Sequence, residues 1–196
     1  MKDIFYLWVD TETIGLNEKA NGENQFNPVL EIACILTDSG LKELGYCHSF
    51  VKVKGESAET LAKKEGFFQG HLDSGLLQEW EIAKKKSPAQ IERAILNLIS
   101  RNCCGKVLLA GNSVSFDKEV IRRFFPKLFE RLHYRILDVS SVREFIAALD
   151  YDLSQKGLLD KEYQHKALSD IEESIQEYKL YKDSLQASLR ASKISK

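Results

Sequence analysis

Disulfides, membrane spans and an excess of one charge are all missing from this sequence, and each absence narrows the reading. The 196 residues include only four cysteines, Cys34, Cys47, Cys103 and Cys104. They are too few and too scattered for a disulfide framework, and no C-x-x-C is present to hold zinc. No apolar run approaches the roughly 20 residues that a membrane-spanning helix needs. The longest, Ile4–Val9, is bounded by charge on both sides. The opening Met-Lys-Asp-Ile-Phe lacks the basic start and small-residue cleavage site of a secretory signal. The expectation is therefore a cytoplasmic protein with reduced thiols and no membrane association. Charge is balanced, with 28 Lys and Arg against 29 Asp and Glu. A protein gripping long nucleic acid non-specifically carries a basic excess, because neutralised phosphates dominate that affinity. Any nucleic-acid ligand must here be gripped by local contacts. No internal repeat, low-complexity tract or linker interrupts the chain, and 43% hydrophobic residues are enough for a packed core. The length suits one domain. We expect it to cover residues 1–181, followed by a polar helical tail over 182–196.

What is present alternates between strand and helix patterns. Ile4–Asp10 is apolar, aromatic and ends in an acid, which reads as a buried strand. Leu30–Thr37, Gly45–Val53, Lys106–Gly111 and Tyr134–Asp138 are further strand candidates. Asn, Gly and Pro over residues 15–28 predict a loop. Ser87-Pro88-Ala89-Gln90 supplies an N-cap, a first-turn proline and a capping-box glutamine, opening a helix over Pro88–Arg101. Phe116–Phe125 and Val139–Leu149 also read as helices. A last helix carries Ala167, Leu168, Ile171, Ile175 and Tyr178 at spacings of three and four and continues into the tail. Early strands followed by alternating helices and strands predict one α/β domain with a mixed sheet.

The acids are the candidate chemistry. Asp-x-Glu occurs four times, at Asp10/Glu12, Asp117/Glu119, Asp160/Glu162 and Asp170/Glu172. On a strand, residues i and i+2 share a face, whereas on a helix they diverge by about 200°. Only Asp10/Glu12 continues a convincing strand, so only that pair should aim two carboxylates at one point. Like charges held that close call for a cation, and hard oxygen ligands favour Mg²⁺ or Mn²⁺. A solvated strand end is the alternative. His-x-x-x-x-Asp occurs twice, as His133/Asp138 and His165/Asp170. If His165 and Asp170 serve one site, His165 belongs on the loop before the last helix, free to take a proton from a water. A surface histidine beside an acid that complements the helix dipole is the alternative. Gly111-Asn-Ser-Val-Ser-Phe-Asp117 joins a strand to a helix. Its N–H groups and hydroxyls can hold a phosphate and Asp117 can add a third carboxylate, or it is a plain turn with Ser115 as N-cap. G-x-G-x-x-G, Walker, G-x-S-x-G and H-E-x-x-H motifs are all absent.

Taken together, these segments resemble the DEDDh 3′–5′ exonucleases, and within them the oligoribonuclease group. Trp8-Val-Asp10-Thr-Glu12-Thr-Ile-Gly15-Leu16 is similar to the family's opening W-[IV]-D-x-E-x-x-G-L. Gly111–Asp117 is the second segment, and His165-Lys-Ala-Leu-Ser-Asp170-Ile-Glu-Glu-Ser174 resembles H-x-A-x-x-D-I-x-E-S. His133-Tyr-Arg135-Ile-Leu-Asp138-Val-Ser140 resembles H-Y-R-x-L-D-V-S, and His71-Leu-Asp-Ser74-Gly-Leu76 resembles H-x-x-S-G-L. The motifs span Trp8 to Ser174, nearly the whole chain.

The resemblance implies an RNase H-like fold, a mixed five-stranded sheet flanked by helices. It implies a 3′–5′ exoribonuclease acting on dinucleotides and short single-stranded RNA to release nucleoside 5′-monophosphates. The runner-up is a broader exonuclease of ribonuclease T or proofreading type, DNA included. A non-catalytic nucleic-acid-binding module is the rival from another class. By the same carry-over, Asp10, Glu12, Asp117 and Asp170 hold two divalent ions, Mg²⁺ or Mn²⁺, and His165 is the general base. Leu16 wedges between the substrate's bases, and His71 belongs to the substrate site. Ser113 and Arg135, with His133 and Tyr134 of a second protomer, cap a 5′-phosphate, which implies a homodimer. The group's stacking Trp, five residues before the H-x-x-S-G-L histidine, is replaced by Gly66, followed by Phe67 and Phe68. Phe67 is the expected substitute.

Overall fold

The computed structural model describes residues 4–15, 19–20, 23–24, 27–64, 67–148 and 166–194. Strand β1 is Tyr6–Thr13, and a two-stranded ribbon follows, β2 (Lys19–Ala20) and β3 (Glu23–Asn24). The long strand β4 is Val29–Thr37, and β5 is Glu43–Phe50. Three short helices come next: α1 (Ala58–Ala62), α2 (Gly70–Asp73) and α3 (Leu76–Ile82). Helix α4 (Pro88–Asn102), strand β6 (Val107–Gly111), helices α5 (Ser115–Phe124) and α6 (Pro126–Arg131) and strand β7 (Leu132–Asp138) follow. Helices α7 (Val139–Ala147) and α8 (Ala167–Ile194) close the fold.

The main sheet has the order β5-β4-β1-β6-β7. β1 runs antiparallel to β4 and parallel to β6, and β6 runs parallel to β7, so the sheet is mixed and five-stranded as the resemblance implies. β4 is buried along its whole length, because helices cover both of its faces. On one face Leu7, Val9, Ile32 and Leu36 pack with Ile91, Ile95 and Ile99 of α4 and Val120 and Ile121 of α5. On the other, Trp8, Ala33 and Ile35 meet Val139 and Ile146 of α7 and Ile171 and Tyr181 of α8. A third cluster, centred on Ile14, Leu30, Leu61, Leu77 and Trp80, seats the short helices.

Several local expectations shift. β1 starts later and ends later than the apolar run, because pairing with β4 carries Glu12 and Thr13 into the strand. β5 stops at Phe50; Val51 instead makes an isolated bridge to Lys86. The 15–28 loop contains the β2–β3 ribbon. The capping box at Ser87 and Gln90 is present. Ser115 is not an N-cap: Val114 holds that position without a side-chain bond, and Ser115 is the first helical residue. The cause is the preceding turn, where Ser113 takes a left-handed φ of 49° and starts the helix one residue early. Helices α1, α2, α3 and α6 were not expected, since four to seven residues are too few to display a 3.6-residue period. Leu149, the expected end of α7, lies outside the described residues.

Candidate active site

Alternation along β1 places Asp10 and Glu12 on the same side of the sheet, opposite Ala33 and Glu31 of β4. The register shifts just after Glu12, a local irregularity of the kind that re-aims side chains beside functional sites. Asp170 projects from the first turn of α8 toward this pair. Carboxylate oxygens of Asp10, Glu12 and Asp170 all lie within 4.8 Å of one another. Asp117, in the first turn of α5, is buried and accepts a 2.7 Å hydrogen bond from the Thr11 hydroxyl. Gly111 lets the end of β6 lie close against β1, because a Cβ there would stand 2.9 Å from the Val9 carbonyl oxygen. Asp10, Glu12 and Asp170 open onto a cleft of about 330 Å³ that Asn112, Ser113, Ser140 and Arg143 also line, whereas Asp117 is buried beneath Thr11 and is not among the lining residues.

Electrostatics single this cluster out. Burial, then the charges of Asp117, Glu12 and Asp170, raises the Asp10 carboxyl well above its ordinary value. Burial, then Asp170, Glu31 and Asp117, pushes Glu12 to about 8. Burial pushes Asp117 to about 7, although its bond from Thr11 opposes the shift. Hard, mutually repelling oxygen donors in a cleft fit divalent ions of the Mg²⁺ and Mn²⁺ kind.

The linkage has a definite sign. These groups hold protons more tightly when folded, so their stabilising contribution is full below about pH 4 and is lost as pH rises through about 7 and 8. With chelator present, the melting temperature should fall between pH 5 and 8.5, and saturating Mn²⁺ should restore it increasingly toward the alkaline end. The expected gap at pH 8.5 is on the order of 5 °C or more, since 1 kcal/mol moves a chain of this size by roughly 2–4 °C. Scanning calorimetry across the range checks this, and a metal increment independent of pH would contradict it.

Hydrogen bonds brace the far wall. Asn112 donates to Ser174 Oγ at 2.9 Å and to Glu177 Oε2 at 3.2 Å, and accepts from the Ser140 hydroxyl. Arg143 Nε donates to Glu177 Oε1 at 2.7 Å. The Ser113 N–H donates to Asp138 Oδ1 and Ser140 Oγ, tying the turn before α5 to the start of α7.

The remaining residues singled out in the sequence fall in different places. His71 is buried behind β1, with Nε2 at 2.6 Å from the Thr13 carbonyl oxygen and Nδ1 at 3.8 Å from Glu12 Oε2. Ser113 lines the cleft. His133, Tyr134 and Arg135 lie on the edge strand β7 and are not among the residues lining the cleft. Tyr134 is 71% exposed, and the Arg135 guanidinium sits 5.1 Å from its ring centre. Arg135 and His133 line a second depression with Ile4, Phe5 and Leu108. Leu16, Gly66 and His165 lie outside the described residues. Phe67 packs against the third core cluster, whereas Phe68 is 42% exposed, its ring 5.1 Å from that of His71. Sequence reasoning missed Thr11, Glu31, Asn112 and Arg143. Glu31 alone left a signal: a single acid inside a strand otherwise apolar enough to be buried on both faces.

The profile of the RNase_T exonuclease family matches residues 7–178. The oligoribonuclease of Corynebacterium glutamicum is 35% identical over 189 residues, covering 93% of this chain and 80% of that protein. The mitochondrial oligoribonuclease of Mus musculus is 32% identical, covering 91% of this chain and 72% of its own. Among solved structures, the nuclease domain of 3′hExo, a DEDDh family member bound to rAMP, superposes with a TM-score of 0.54 over 94% of both chains. At 11% identity that likeness speaks for the fold alone, and the fold is RNase H-like. The chain belongs to the exonuclease family, and within it to the oligoribonucleases, which makes it a 3′–5′ exonuclease.

Proposed function

We propose that this enzyme removes nucleoside 5′-monophosphates from the 3′ end of short single-stranded RNA, with dinucleotides as its best substrates. The observation that carries the reading is the convergence of Asp10, Glu12 and Asp170 in one cleft, with the Asp117 charge close enough to raise the Asp10 carboxyl. These four carboxylates would hold two divalent ions, Mg²⁺ or Mn²⁺. Bound there, such ions supply Lewis-acid charge against the negative charge that develops on the phosphodiester. The chain's own side chains do the rest. Ser113 donates to the substrate from the cleft wall, and His165 takes the proton of the attacking water. The penultimate 3′-oxygen leaves as the nucleotide is released. Leu16 separates the two bases, and Phe68, the more exposed of the two phenylalanines, serves as the stacking surface in place of the missing tryptophan.

The enzyme works as a homodimer. Exposure of Tyr134 and Arg135 on edge strand β7 supports this, because a partner's His133 and Tyr134 can then close the 5′ end of a site to which Arg135 contributes. Residues 1–181 form the catalytic domain, with 182–196 a helical tail; the family profile ends at residue 178. The protein acts in the cytoplasm, where its cysteines, all free thiols, stay reduced. No helix among the described residues is long and apolar enough to cross a membrane.

The test is cleavage of 5′-phosphorylated RNA and DNA of roughly two to ten nucleotides, with Mg²⁺ or Mn²⁺, alongside sedimentation of the same preparation. Fastest release of mononucleotide from diribonucleotides by a dimer is expected. Equal rates on the longest DNA would reassign the protein as a broader exonuclease. Binding without mononucleotide release in Mn²⁺ would overturn the enzymatic reading.

A further inference from the structure

Glu31 is a charged side chain in the interior, only 3% exposed. Burying a carboxylate is costly unless its oxygens are bonded, and both of these are. Oε1 lies 2.5 Å from His48 Nε2 of β5, and Oε2 accepts the backbone N–H of Ala167 at 3.2 Å, across 136 residues of sequence. Ala167 is the first residue of α8, and the N–H of Asp170 bonds back to the carbonyl of Lys166 just before it. In the β1–β4 register Glu31 stands directly opposite Glu12. One side chain thus links the strand that pairs with β1 to the helix turn that presents Asp170.

We infer that Glu31 is a positioning residue for the metal site: by bonding the N-terminus of α8 it holds Asp170 at the distance from Asp10 and Glu12 that a shared ion requires. The N-terminal N–H groups of a helix lack intrahelical partners, and a carboxylate from outside the helix satisfies one while complementing the dipole. This placement has an electrostatic cost, since the Glu31 charge helps to raise both Asp10 and Glu12. His48 offsets it: the bond to Glu31 raises the imidazole above its ordinary value, favouring the charged form that donates to the carboxylate. Side chains that orient ligating groups in this way matter nearly as much as the ligands themselves.

The inference rests on reading Asp170 as a metal ligand, and the experiment separates the two. Glu31→Met keeps the volume and removes both acceptors. Glu31→Gln keeps an acceptor for Ala167 and can donate to neutral His48. Ala167→Pro keeps the carboxylate and deletes the N–H it accepts, at a helix position where proline is tolerated. Each is measured by the Mn²⁺ concentration giving half of the melting-temperature increment, and by that giving half-maximal activity. Glu31→Met should weaken both by roughly 10–100-fold, as loss of an orienting partner does. Ala167→Pro should shift both the same way, while Glu31→Gln should stay within roughly threefold of wild type because its hydrogen bonds survive. Unchanged Mn²⁺ dependence in Glu31→Met would overturn the inference, as would equal damage from Met and Gln, which would make charge rather than geometry the cause. If Glu31→Met does not fold, Ala167→Pro decides the matter in the same terms. Absence of any Mn²⁺ response in the wild type would instead overturn the metal-site reading.

Discussion

Asp10→Asn should abolish turnover while raising the melting temperature of the metal-free protein at pH 8. Both effects have one cause. Asp10 is the carboxylate most surrounded by others, facing Asp117, Glu12 and Asp170, and burial leaves little water to screen them. Without a cation the cluster repels itself, so a neutral amide of the same shape relieves the metal-free fold. With a cation the balance inverts, because the variant has lost a ligand and the charge that held the ion. An ion's stabilisation of developing charge is several kcal/mol, and each 1.36 kcal/mol is tenfold, so the loss in kcat should be about 10³-fold or more. The Mn²⁺-induced rise in melting temperature should shrink in parallel, since ligand-induced stabilisation follows affinity. Turnover measured beside two melting scans, with chelator and with Mn²⁺, checks this. Near-normal turnover would remove Asp10 from the site.

His165→Ala should lower kcat by roughly 10²–10⁴-fold on every substrate, the contribution of a positioned general base, while leaving Mn²⁺ stabilisation largely intact. His133→Ala makes the contrast. The same five-residue spacing to an aspartate marks both histidines, but His133 lies on an edge strand away from the cleft lining. Its loss should mainly impair short, 5′-phosphorylated substrates through KM. Comparing the two variants on RNA of about two and about ten nucleotides separates the roles. A His133 variant that loses turnover on all lengths, beside a His165 variant that keeps it, would reverse the assignment.

Much of the fold was readable because its signals are local. The capping box at Ser87 and Gln90 is complete within four residues, and the apolar face of α4 repeats within one turn. The short helices α1 to α3 were not readable: each buries one to three side chains, and they stand only because Trp80 and Leu61 join a cluster begun by Ile14 and Leu30. The start of α5 was misplaced by one residue for a similar reason. Ser113 takes its left-handed turn while its N–H is bonded to Asp138 and Ser140, partners a cap rule cannot see.

The site divides along the same line. The amino-acid pattern alone shows that Asp10 and Glu12 aim together, because a strand's two-residue period is a property of the backbone. It also determined that Asp117 and Asp170 open helices, since the turn and periodicity signals around them are local. Long-range packing brings Asp170 within 4.8 Å of the β1 pair and lets Glu31 bond the helix start beside it. It also decided that His71 lies behind Glu12, and that His133, Tyr134 and Arg135 sit on an open edge away from the cleft lining. These placements depend on strand order and on how α8 packs across β1 and β4. Those are set by burial of apolar faces over the whole chain, which no short stretch of sequence encodes.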